Sequence, residues 1–162
     1  MNGTRPVVHA KINGADAAFI ADSGAFFSTI SSSAAQQYHL HLEFSPVTLQ
    51  GIGGMAETWL TRVDAFNFLG ANFPHVQFLV TPNDMGSGAV GVLGQNVFRM
   101  GGDVEYDLAN GVIRLVRPQD CKHADFAYWA PAENKVVSVM DIEFSSRTRP
   151  HTYGEAYVNG AK

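Results

Sequence analysis

The chain has 162 residues, 46% hydrophobic and only 16% charged, which is enough apolar content for one cored domain with an appendage. Its formal net charge is −4 and its 11 lysines and arginines are scattered, so it carries no basic footprint for nucleic acid. The single Cys121 excludes an internal disulfide and paired-cysteine zinc patterns, no apolar run reaches the roughly 20 residues of a membrane span, and 16 glycines favour strands and turns over exposed helices.

In chain order, Val7–Ile12 reads as a strand, Asn13-Gly14 is a hairpin turn signal, and residues 17–21 return as a second strand. That arm is apolar until it ends in Asp22, Ser23 and Gly24. An Asp is costly to bury, so one set directly after an apolar strand and before a residue that permits an unusual turn suggests a carboxylate held at a site. Asp-Ser-Gly is also an ordinary turn sequence, and the three residues alone do not decide between the two. Residues 26–30 continue as a short strand, and Ser31-Ser32-Ser33 precedes a capped helical turn over 34–38.

From Val47 the pattern is again extended. Residues 47–50 and 57–63 are strands flanking a glycine-rich tip made of Gly51, Ile52, Gly53, Gly54 and Met55. A phosphate-cradling loop would need a Lys-Ser/Thr and a helix after the glycines, and neither follows. Residues 66–69 and 76–80 bracket a turn over 70–74, and a polar, glycine-rich loop covers 81–88. Residues 89–94, including Val92, Leu93 and Gly94, form an apolar strand closed by glycine, and 95–100 make one or two helical turns. Asp103–Asp107 and Val112–Val116 form a last hairpin, its acidic positions alternating onto a solvent face with Val104 and Tyr106 turned inward.

The compact unit should span 1–117. Residues 118–148 read as an extension or linker with one strand at 135–144, and 149–162 as the start of a second, truncated repeat. The basis for the repeat is an echo: Arg149-Pro150 precedes a strand into Asn159-Gly160-Ala161, much as Arg5-Pro6 precedes the strand into Asn13-Gly14-Ala15. Tyr128-Trp129 and residues 136–144 lie outside the compact unit and need a surface to bury against. His39-Leu40-His41 could set two imidazoles on one face of a strand, but no cysteine or carboxylate stands at ligand spacing, so neither metal nor cofactor is expected. No Gly-x-Ser-x-Gly elbow supports a serine nucleophile.

An apolar strand into Asp22-Ser23-Gly24-Ala25, a glycine-tipped hairpin, and a later apolar strand into Val92-Leu93-Gly94 with a short helix form an ordered set. In that order the chain resembles the retropepsin-like aspartic proteases from Val7 to about Val116. The resemblance implies an all-β, closed barrel with a flap hairpin and one short helix, plus a C-terminal extension strand. It implies Asp22 as the catalytic carboxylate and Ser23 as the hydroxyl that locks paired loops. Gly24 and Ala25 would be supports of the carboxylate, with the Gly24 amide hydrogen-bonding to it. Gly51, Ile52, Gly53, Gly54 and Met55 match the flap over a polypeptide substrate, and Val92, Leu93 and Gly94 the element packed under the loop.

Such a site hydrolyses peptide bonds with water activated by two carboxyl groups that share one proton. No second Asp-Ser/Thr-Gly occurs in the 162 residues, so the other half must come from a homodimer mate or a downstream domain. Bacterial proteins with two such units in tandem look similar, which implies an N-terminal unit of a longer chain in a periplasmic or secreted setting, although the sequence itself names no compartment. Ala25 lacks the hydroxyl that pepsin-like enzymes often place there, which implies a pH optimum that is mildly acidic to neutral. The alternative is a non-catalytic peptide-binding or dimerisation module on the same fold.

Overall fold

In the computed structural model, Asn13 and Gly14 both take positive φ, 49° and 89°. That is the geometry of a two-residue turn whose twist matches paired strands. The turn folds β1 (Val7–Ile12) antiparallel onto β2 (Ala15–Ala21), with Ile12 opposite Ala15 and Val7 opposite Ile20. The structure describes residues 5–51, 54–86, 88–117, 119–121, 127–130, 133, 137–143, 152–157 and 159, and the chain divides into two units, 1–117 and 118–162.

In the first unit, β3 (Thr29–Ser31) leads into helix α1 (Ser32–Gln37), whose first turn is capped by Ser31 Oγ accepting from the Ala34 amide at 3.2 Å. His39 follows in a turn with φ 52°, so His39-Leu40-His41 is not the strand its alternation allowed. Strand β4 (Leu42–Gly51) starts five residues before the expected 47, because Pro46 obscures a strand that tolerates it at an irregularity. The register to β5 (Gly54–Phe68) shifts between Phe44 and Thr48, and Thr58 Oγ1 donates to the Val47 carbonyl at 2.5 Å inside that bulge.

The turn into β6 (Ala71–Thr81) is Leu69-Gly70, at φ 49° and 80°, not the expected 70–74. Ala71 to Pro74 instead pair with Phe68 to Ala65 as strand. β7 (Gly91–Leu93) and helix α2 (Gln95–Gly101) follow, the latter being the short helix the family likeness implies.

The strands form one sheet in the order β1-β2-β7-β3-β6-β5-β4. Pairing of Ala10, Lys11 and Ile12 with Phe68, Asn67 and Phe66 joins β1 to β5 and closes six strands into a barrel, leaving β4 as an extra strand. β7 runs parallel to β2 and antiparallel to β3. A short strand is thereby inserted between two segments that the Asp22 loop connects.

Closure buries Phe19, Phe66, Phe68 and Phe78 together with Ile12, Ile30, Val63, Val80 and Leu93. The rings form a continuous series: Phe19 meets Phe66 at 5.8 Å and Phe78 at 5.9 Å, Phe66 meets Phe68 at 6.2 Å, Phe68 meets Phe98 at 6.0 Å, and Phe98 meets Tyr106 at 5.9 Å. Each contact adds about 0.5–1.5 kcal/mol to the burial of the rings themselves.

β8 (Asp103–Asp107) and β9 (Val112–Val116) pair as a separate hairpin whose Val104, Tyr106, Ile113 and Leu115 pack on the core. Asp103 faces solvent, but Glu105 and Asp107 are half-covered, because Arg114 lies 3.3 Å from each. In the second unit, the described pairing is β10 (Ile142–Glu143) against β11 (Tyr153–Gly154). The strand expected at 135–144 is thus confined, among the described residues, to two positions. Residues 155–157 likewise form no strand, residues 144–151 lie outside the described residues, and Tyr128 and Trp129 are exposed.

The Asp107 carboxyl is held below its ordinary value of 3.8, first by the Asn110 side chain, then by the Asn110 amide and Arg114. A depressed carboxylate supports the fold above its unfolded titration range and loses that support as pH falls through its folded value. The Asn110 amide resonance should therefore move with a midpoint below 3.8 in an NMR pH titration; a midpoint at or above it would show that the turn does not rely on this carboxylate.

Candidate active site

Asp22 is the first residue after β2, and its amide donates to the Leu93 carbonyl at 3.0 Å. The parallel pairing of Phe19, Ile20 and Ala21 with Gly91, Val92 and Leu93 is thus carried one residue into the loop. The side chain is exposed and turns back on its own loop: Oδ1 accepts from the Gly24 amide at 2.8 Å and from the Ala25 amide at 3.3 Å. Two amide donors aimed at one oxygen fix the carboxylate's orientation, leaving Oδ2 for other partners. A β-carbon at Gly24 would lie 3.2 Å from that same Oδ1, so a side chain there presses on the carboxylate.

The loop is tied to the start of α2 at four points. The Gln95 amide donates to the Ala25 carbonyl at 2.8 Å, the Asn96 amide to the Phe26 carbonyl at 3.0 Å, and Gln95 Nε2 to the Ser23 carbonyl at 2.8 Å. The fourth is buried. Ser28 Oγ donates to Asn96 Oδ1 at 2.8 Å and accepts from the Gly94 amide at 2.9 Å, while the Ser28 amide also donates to Asn96 Oδ1, at 2.7 Å.

Two close approaches make this possible: a β-carbon on Gly91 would stand 1.9 Å from the Thr29 carbonyl oxygen, and one on Gly94 2.6 Å from that of Ala25. Only glycine lets β7 and the α2 start lie this near the loop.

Asp22 is therefore joined directly to Leu93, Ala25 lies against Gly94, and Ser23 and Ala25 are tied to Gln95, with the half-buried Val92 between Ile20 and Thr29. Gly51 pairs with Gly54 at the end of the β4–β5 hairpin and Met55 is exposed there, while Ile52 and Gly53 lie outside the described residues. Ser28, Asn96 and Gln95 carry no local signal as parts of the site, since each acts across 66 to 72 residues through a hydrogen bond. Gly91 was visible only as one more glycine. Phe26 and Phe27, edge to face at 4.7 Å and half-buried, add apolar surface beside the loop.

Tyr106 feels the site electrostatically. Burial, and then the charge of Asp22, push its hydroxyl up to about 12, so it stays protonated at any ordinary pH. Among the described residues, no group of three or more His, Cys, Asp or Glu side chains is placed to hold a metal ion, and no helix is long and apolar enough to cross a membrane.

Ser28→Ala would leave the Gly94 amide without its buried partner and Asn96 Oδ1 with the backbone amide of residue 28 alone, a cost of about 1–3 kcal/mol. Urea unfolding should show a loss of that size, whereas a loss below roughly 0.3 kcal/mol would remove this network from the support of the loop.

A family profile described as Aspartyl protease matches residues 8–97, which holds β1, β2, the Asp22 loop, the β4–β5 hairpin and the first residues of α2. A search of curated proteins finds no match. Among known structures, the chain is similar to a retropepsin-like aspartic protease from Rickettsia conorii, at 16% identity and a TM-score of 0.56, covering 67% of this chain and 88% of that one. It is also similar to EIAV protease complexed with the inhibitor HBY-793, at 20% identity and a TM-score of 0.52, covering 65% and 96%. With the barrel, the inserted β7 and the profile in agreement, the chain belongs to the aspartyl protease family and has the retropepsin-like fold.

Proposed function

We propose that this chain is one half of an aspartic endopeptidase, with Asp22 as its catalytic carboxyl group. The observation that carries the reading is the Asp22 side chain itself: exposed, held on one oxygen by the Gly24 and Ala25 amides, and backed by β7. A carboxylate so oriented can take a proton from water. It cannot also polarise a peptide carbonyl as an acid, and that role falls to a second carboxyl group beside it. Two such groups a few ångströms apart cannot both ionise cheaply, so the pair holds one proton and divides the roles of acid and base, the logic of the aspartic-protease dyad. Their titration then belongs to the pair and not to either residue.

The second Asp-Ser/Thr-Gly loop comes from another chain or from a further unit of the same polypeptide. The recurrence of Asn-Gly-Ala at 159–161 favours the latter, with 118–148 as the connecting segment and 149–162 as the opening of that unit. Ser23, exposed beside Asp22, supplies the hydroxyl that ties the two loops together. The hairpin tip of Gly51, Ile52, Gly53, Gly54 and Met55 is the flap. An extended polypeptide lies between it and the floor at Val92, Leu93 and Gly94, bound through strand-like backbone hydrogen bonds.

In the assembled enzyme, Asp22→Asn should lower kcat for peptide cleavage by at least about 10²–10⁴-fold with an unchanged circular dichroism spectrum. Unaltered turnover would leave a peptide-binding or dimerisation module on the same fold. Because Ala25 offers the carboxylate an amide at 3.3 Å and no hydroxyl, kcat/KM should peak at mildly acidic to neutral pH. A pH profile with its maximum near about 2 would contradict this account of the loop.

A further inference from the structure

The peptide group that joins Ser23 to Gly24 is held from both sides. Its N–H donates to Asp22 Oδ1 at 2.8 Å, and its carbonyl oxygen accepts from Gln95 Nε2, also at 2.8 Å. The peptide is trans, so its N–H and C=O point in opposite directions and Gln95 lies across it from the carboxylate.

We propose that Gln95 is a positioning residue for Asp22, acting through this one peptide. By fixing the Ser23 carbonyl it fixes the aim of the Gly24 N–H that orients the carboxylate. This rests on the reading of Asp22 as the catalytic group.

Glycine is the reason the aim needs fixing. A peptide plane next to a residue without a β-carbon turns more freely than others, and a half-turn of this one would point the carbonyl, not the amide, at Asp22. A side chain at position 24 would stiffen the plane, but its β-carbon would stand 3.2 Å from Oδ1. The other amide on the carboxylate is a poorer donor. The Ala25 N–H lies 3.3 Å from Oδ1 and also 3.3 Å from the Asp22 carbonyl, so it is divided between two acceptors. The Gly24 amide is thus the principal donor, and hydrogen bonds in series polarise one another, so the Gln95 donor also strengthens the bond that Gly24 makes.

Gln95 reaches the loop from a fixed base. It is the first residue of α2, whose Val97 and Phe98 are buried and whose Asn96 is bonded to Ser28. Its own amide, which at a helix start needs a partner outside the helix, donates to the Ala25 carbonyl at 2.8 Å. One residue therefore grips the loop at 23 and at 25, on either side of Gly24. The backbone bond already fastens helix to loop. The half-buried side chain gives up rotamer freedom for a further bond, and the geometry of that bond acts on Asp22.

The test combines amide hydrogen exchange on the full chain with turnover by the assembled enzyme, for wild type, Gln95→Met and Gln95→Ala. Both substitutions remove the side-chain donor and leave the backbone bond to Ala25 in place; methionine also keeps the length of the side chain. Exchange of the Gly24 amide should quicken about two- to tenfold in both variants, the effect of one lost hydrogen bond, while the amides of β2 keep their wild-type rates. In both, kcat should fall by roughly tenfold with KM held within about twofold, because a misaimed carboxylate impairs the chemical step and not peptide binding.

Gly24 exchange that stays at the wild-type rate, or quickens only together with the amides of β2, would overturn the inference. A change confined to Gln95→Ala would overturn it by tracing the effect to packing. An unchanged kcat in variants whose Gly24 amide is loosened would do the same, by showing that the bond is only a fastening. Exchange needs no substrate. A wild-type assembly that cleaves no peptide would therefore end the catalytic reading of Asp22, while exchange at Gly24 still decides whether Gln95 holds the peptide.

Discussion

At Gly91 the β7 backbone lies so close to β3 that a single added carbon would stand 1.9 Å from the Thr29 carbonyl oxygen. That approach is the constraint on which the site depends. Because β7 fits between β2 and β3, it can pair parallel with one and antiparallel with the other, and the loop joining those two strands must pass over its end. Asp22 sits where the loop leaves β2, with its amide on Leu93, and Gly94 repeats the close approach against Ala25. The loop that carries the carboxylate is therefore placed by backbone geometry on three strands. The two amides on Oδ1 complete the orientation at the cost of one small residue, Gly24.

As proposed, the exposed carboxylate of Asp22 is half of a chemical device. Water screens it, and nothing in a single barrel makes a lone carboxyl both acid and base. A second loop brought against the first changes the physics. The two charges then share a smaller, drier space, where one proton between them costs less than two anions. On the proposed reading, the barrel's task is to hold Asp22 outward and still while leaving the dyad to be completed by assembly. The aromatic series from Phe19 through Phe68 and Phe98 to Tyr106 serves the same end, since it stiffens the layer on which α2 and the loop rest.

The parts of this arrangement that were legible in the sequence are those governed by local rules. Asn13-Gly14 needs positive φ at two residues and is seldom anything but a turn, so the first hairpin, and with it the position of Asp22 at the end of an arm, could be read directly. The Ser31 cap and the last hairpin are local in the same sense. Pro46 misled because a proline inside a strand is tolerated only at a bulge, and a bulge is a property of the pairing, not of the sequence. Leu69 at φ 49° misled in the opposite direction, since a leucine rarely takes that conformation and the glycine-proline stretch after it reads as the turn. The Ser28, Asn96 and Gly94 network joins residues 66 to 68 positions apart, and no periodicity announces such a contact. Only the ordered set of motifs could bring those segments together in advance, and it did so for the strands without naming the hydroxyl and amide that tie them.

The central claim is that two carboxyl loops make one site. Its most direct measurement is the stoichiometry of a statine-type inhibitor, whose hydroxyl replaces the attacking water, titrated calorimetrically into the catalytically active assembly. One inhibitor bound for every pair of Asp-Ser/Thr-Gly loops, with binding abolished by Asp22→Asn, is the result predicted here. One inhibitor bound for each single loop, or binding that survives Asp22→Asn undiminished, would contradict it.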